Sequence, residues 1–91
     1  MLIVSYDISN NRIRTKFAKF LVKFGYRLQY SVFAIKNSER ILKIITSEIT
    51  NNFEKSFDET DSVIIFHFDD NCKKTCFGYA RNDDEDLIII T

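Results

Sequence analysis

The sequence predicts an α+β domain in which helices cover one face of a sheet, with one further strand at the C-terminus. Three observations lead there. Short runs of β-branched and aromatic residues recur along the chain. Two intervening stretches carry apolar residues at helical spacing. Proline is absent, only two glycines occur, and no low-complexity linker interrupts the chain. Ninety-one residues, 45% of them apolar, suit a single domain spanning residues 1–91.

Leu2 to Asp7 alternates as a strand, with Leu2, Val4 and Tyr6 on one face and Ile3, Ser5 and Asp7 on the other. Asn10 or Asn11 then caps a helix. Ile13, Phe17, Phe20, Leu21 and Phe24 make its apolar stripe, and Gly25 is the expected left-handed stop. Tyr26 to Ile35 reads as one long strand, with Arg27 and Phe33 on the same face. Asn37 or Ser38 opens a second helix with the stripe Ile41, Ile44, Ile45, Ile49 and Phe53. The acidic loop Asp58 to Asp61 precedes a strand from Val63 to Phe68, whose face with Val63, Ile65 and His67 is expected to lie away from the helices. A strand from Thr75 to Ala80 follows, with Gly78 read as a bulge. The turn Asp83 to Asp86 leads to a last strand, Leu87 to Thr91.

Compressed, this order is βαββαβ with an extra strand, which fits a ferredoxin-like split βαβ sandwich. Leu87 to Ile90 would make an exposed apolar edge in a monomer, so the extra strand is expected to pair across a homodimer.

Net charge is zero, but the charges are segregated. Residues 8–43 hold nine basic residues and one acid, and residues 44–91 hold four basic residues and eleven acids. A basic first half suggests a polyanion on one face, against the alternative of an ordinary solvated helix face. Arg14, Lys16, Lys19, Lys23 and Arg27 are the candidate phosphate contacts. The N-terminus has no basic region leading into an apolar run and cleavage site, and no stretch is long enough for a membrane span, so a cytoplasmic location is expected.

Asp7 ends an apolar strand just before the basic helix. A carboxylate there suits a magnesium ion near phosphates, although magnesium takes one or two carboxylates and a second copy would have to supply the other. The alternative is that Asp7 caps the following turn. Phe33 could stack a base or pack a dimer. His67 is either a general acid–base group or a hydrogen-bonded interface residue. Cys72 and Cys76 have no further ligands at zinc spacing and read as free thiols.

Ile3-Val4-Ser5-Tyr6-Asp7-Ile8-Ser9, joined at this distance to Gly25-Tyr26-Arg27-Leu28-Gln29-Tyr30-Ser31-Val32-Phe33, resembles the small CRISPR-associated adaptation protein family Cas2. The resemblance implies a ferredoxin-like homodimer whose last strand crosses onto the partner. It implies a dimer that bridges copies of the spacer integrase and holds double-stranded DNA for insertion into a CRISPR array. It also implies magnesium-dependent endonuclease activity in several relatives, on DNA or on single-stranded RNA. The family's acid maps onto Asp7, preceded by Tyr6. Its arginines map onto Arg14 and Arg27, and its strand aromatic onto Phe33, with Ser31 in the same motif. Lys16 stands where some relatives carry arginine, which keeps the charge and loses the planar fork. The runner-up is a virulence-associated ribonuclease toxin of the same fold. A plain RNA-recognition module is weaker, because its aromatic signature is missing.

Overall fold

The computed structural model describes residues 1–68 and 74–78. In chain order they form β1 (Leu2–Asp7), α1 (Asn11–Val22), β2 (Gly25–Gln29), β3 (Val32–Ile35), α2 (Glu39–Glu48), β4 (Ser62–His67) and β5 (Lys74–Gly78). The described strands make one sheet in the order β2-β3-β1-β4-β5, and every neighbouring pair is antiparallel. Thus β1 and β2 run parallel with β3 between them, and β3 and β4 run parallel with β1 between them. Two βαβ units are interleaved, which is the ferredoxin-like arrangement that the element order predicts.

The core follows from strand alternation. Leu2, Val4 and Tyr6 of β1, Phe33 and Ile35 of β3, and Val63 and Ile65 of β4 meet Phe17 and Leu21 of α1 and Ile45 of α2. Each such buried side chain contributes about 1.5–3 kcal/mol relative to exposure. The aromatic members are packed edge-on: the Tyr6 and Phe17 rings lie 5.0 Å apart at 85°, and those of Phe17 and Phe53 lie 5.0 Å apart at 77°.

Five expectations change. First, Tyr26 to Ile35 is a hairpin rather than one strand: β2 and β3 pair antiparallel through a turn at Tyr30–Ser31, with a register shift between Arg27 and Gln29. The run alternates straight through the turn and contains no Asn-Gly or Asp-Gly to announce it. Second, the hairpin turns Phe33 into the core, fully buried and stacked on Tyr6 at 6.2 Å, so it offers no surface to a base or a dimer partner. Third, β4 faces the other way from the expectation. Val63 and Ile65 are buried towards the helices, with half-buried His67 on their side at the strand end, and Ile64 and Phe66 lie on the open face. Alternation fixes which residues share a face but not which face is the core. Fourth, Gly25 does not end α1 in a left-handed conformation. It starts β2 where a Cβ would overlap the Ala34 carbonyl. Gly78 is the left-handed glycine, with φ 71°, and the β4–β5 register runs without a shift up to it. Fifth, Ile44 of α2 is exposed and Leu42 packs on the core in its place. The helix then widens into a π turn at Ile49–Phe53, which carries Ile49 and Phe53 onto the same face.

Cys72 and the expected last strand, Leu87 to Thr91, lie outside the described residues. Among the described residues no helix is long and apolar enough to cross a membrane.

Candidate nucleic-acid interface

One end of the sheet gathers the candidate residues. Antiparallel pairing brings the end of β1 beside the start of β4, where Asp7 lies opposite Ser62. It also brings the β2–β3 turn alongside, and the Tyr6 N–H donates to the Ser31 carbonyl at 3.1 Å. The loop leaving β1 at this end leads directly into α1.

That loop is held from three sides. The Asn10 side chain accepts the Ile13 N–H at 3.0 Å and caps α1. Arg14 reaches back and donates through Nη1 to the carbonyls of Ile8, at 2.8 Å, and Ser9, at 3.3 Å, and through Nη2 to the Asn11 side chain. Asp61, buried just before β4, accepts the Ser9 N–H at 3.0 Å and the Asp58 N–H at 2.9 Å. The Ser9 hydroxyl is shared between Asp61, at 3.1 Å, and Asp58, at 2.8 Å. Capping therefore falls to Asn10. Asp7 is left exposed, and among the described residues its carboxylate has no hydrogen-bond or ion-pair partner.

Among the described residues no three His, Cys, Asp or Glu side chains are grouped to hold a metal. Asp7 is an oxygen donor of the right kind for magnesium, but one chain supplies only part of a site.

The basic candidates separate into two sets. Lys16, Lys19 and Lys23, with Arg12, follow at intervals of four, three and four residues, so they form one exposed strip along α1. No acid lies in the helix to offset them. Arg14, Lys19 and Arg27 instead line a groove of about 460 Å³ between α1 and β2, together with Tyr6 and Tyr30. Arg27 is seated there by two rings, its guanidinium carbon 5.2 Å from the Phe33 centroid and 6.0 Å from that of Tyr30. Lys19 belongs to both sets. Tyr6 is buried and supports the groove floor, and Ser31 is half-buried in the turn.

Sequence reasoning missed Asp61 and Tyr30. Asp61 sits in a run of polar and acidic residues that reads as a solvated loop, and only the fold reveals that it points inward at Ser9. Tyr30 lies in a run that alternates like a strand but turns there.

The sequence model of the family described as "CRISPR associated protein Cas2" matches residues 1–76. The chain is 29% identical over 90 residues to "CRISPR-associated endoribonuclease Cas2 2" of Methanospirillum hungatei, covering 97% of each chain. It is 31% identical over 81 residues to "CRISPR-associated endoribonuclease Cas2" of Mycobacterium tuberculosis, covering 88% of this chain and 67% of the relative.

Proposed function

The chain belongs to the CRISPR associated protein Cas2 family, and from that premise we propose that it is a homodimeric, nucleic-acid-binding scaffold of spacer acquisition in the cytoplasm, working with the spacer integrase on double-stranded DNA. The observation that carries this reading is the strip of Arg12, Lys16, Lys19 and Lys23, exposed along one helix with no acid among them. Such a strip matches regularly spaced phosphates without reading bases. An apolar row across the open sheet face supports the dimer: Tyr26, Ala34, Ile3 and Phe66 lie side by side in register. Tyr26 stands 59% exposed at the end of that row. Co-purification with the integrase, followed by an integration assay, tests the reading. Integration that proceeds equally well without this chain would overturn it.

A second reading is magnesium-dependent phosphodiester cleavage, favoured by the exposure of Asp7 and its freedom from capping. Two relatives carry the name endoribonuclease. Here Asp7 from each copy would hold one ion at the two-fold axis. When bound, the ion would activate a water and neutralise phosphate charge. The basic strip would hold the backbone in place.

A further inference from the structure

We propose that the groove between α1 and β2 binds one unpaired nucleotide of a single strand, with its base against Tyr30 and its phosphates at Lys19 and Arg27. The inference deepens the nucleic-acid-binding reading above, on which it rests. The groove has two unlike walls. The helix wall presents Ala18 and Val22 with Lys19 at its rim, and the sheet wall presents Tyr6, Arg27 and Tyr30. Val22 and Tyr30, at 59% and 69% exposed, are among the most exposed large apolar side chains of the described residues, and one stands on each wall. Exposed apolar surface on both walls of a cleft suits a flat, apolar-faced ligand. The cations beside it favour an anionic one. A nucleotide has both properties.

The volume, about 460 Å³, lies in the ~300–1,000 Å³ range of small-ligand clefts. A base inside a duplex has both faces covered by its neighbours, so an unpaired base, rather than one within a helix, can lay a face on Tyr30. Lys19 links the groove to the outer strip, so a backbone held by Lys16 and Lys23 passes the groove mouth.

Arg14 lines the same groove, yet three of its hydrogen bonds go to the Ile8 and Ser9 carbonyls and the Asn11 side chain. It contributes field rather than a free fork. Arg27 is different: its two ring contacts hold the guanidinium at the groove, and among the described residues no carboxylate engages its donors. The groove lies on the helix side of the sheet, so pairing through the open face leaves it accessible.

Fluorescence anisotropy with the full chain and three labelled probes of equal length tests the proposal. The probes are a single-stranded oligonucleotide, the same strand with abasic sites, and a blunt duplex. The intact strand should bind about tenfold more tightly than the abasic one, as expected for stacking one base. Tyr30→Ala should erase that ratio, and Tyr30→Phe should keep it. Lys16→Ala should weaken both strands equally. Equal binding of intact and abasic strands by the wild type, or a ratio that survives Tyr30→Ala, would overturn the proposal while leaving duplex binding in place. Polyglutamate displacing the strand at equal charge concentration would reduce the groove to a plain anion site and overturn it too. Failure to bind any probe, the duplex included, would remove the nucleic-acid reading itself.

Discussion

The Asp61 carboxylate accepts the backbone N–H of Ser9 at 3.0 Å, across 52 residues of sequence. The bond joins the loop that follows Asp7 to the loop that opens β4. Asp61 is only 1% exposed, and its second oxygen accepts the Asp58 N–H at 2.9 Å. A buried carboxylate persists because backbone donors surround it. The loop after β1 is thus fixed at both its backbone and its side chain, and the start of α1 inherits that position.

Asp61→Ala should lower unfolding stability by about 3 kcal/mol, since each buried donor left without a partner costs ~1–3 kcal/mol. Asp61→Asn should cost less, because one carbonyl oxygen still accepts from Ser9 while the amide N–H₂ opposes a donor on the other side. Urea unfolding measures both. A loss under about 0.5 kcal/mol for Asp61→Ala would show that water replaces the carboxylate without penalty.

Arg14 and the outer lysines should fail differently. Arg14→Ala removes donors to the Ile8 and Ser9 carbonyls, so its main effect is on stability, about 1–2 kcal/mol. Lys16→Ala and Lys23→Ala should leave stability almost unchanged. Each should lower the slope of log affinity against log salt by about 0.9 on duplex DNA, one phosphate contact apiece. Duplex binding titrated over a range of salt concentrations checks this. An unchanged slope in the Lys16→Ala, Lys23→Ala double variant would place the phosphates elsewhere.

These residues also show what was legible beforehand. The Phe17 and Leu21 stripe, the Ser38 and Asn10 caps and the strand of β1 were readable because local periodicity and capping chemistry are written in adjacent residues. The Tyr30–Ser31 turn was not, because neither residue has the backbone preference that marks a hairpin. Losing that turn also misplaced Phe33. The inward face of β4 is set by the strand beside it, where Val63 lies opposite Tyr6 and Ile65 opposite Val4. No local pattern contains that pairing. For the site, the surplus of basic residues was visible in the sequence, but the strip was not, since the candidate set joined Arg14 and Arg27 to Lys16, Lys19 and Lys23 and left Arg12 out. Nor was the division of labour between Arg14 and Lys19, since it depends on where the loop carbonyls of Ile8 and Ser9 end up.

A chain ending at Asp84 should sediment as a monomer at concentrations where the full chain is a dimer. The reason is the apolar run Leu87 to Ile90, which truncation removes while leaving in place the in-register row of Tyr26, Ala34, Ile3 and Phe66 on the open face. Apolar surface of this kind is stabilised by pairing rather than by water. Light scattering on both chains decides it. A truncated chain that stays dimeric with unchanged stability assigns the interface wholly to the sheet face.

Asp7→Asn separates scaffolding from catalysis. The residue is exposed, makes no cap and has no hydrogen-bond partner among the described residues, so the substitution should leave stability within about 0.5 kcal/mol. Asn keeps an amide oxygen but loses the carboxylate charge that magnesium prefers, and it does so twice in a dimer. If the chain cleaves phosphodiesters, cleavage should therefore fall by at least a hundredfold, roughly 2.7 kcal/mol of transition-state stabilisation. Duplex binding should hold or tighten slightly, because a negative charge beside the basic helix has gone. Integration with the integrase should stay near the wild-type rate, since that role draws on the dimer and the basic strip. Cleavage and integration measured on the same preparation give the answer. Full cleavage by Asp7→Asn protein would refute the catalytic assignment, and lost integration with intact cleavage would reverse the roles argued for Asp7 and the lysine strip.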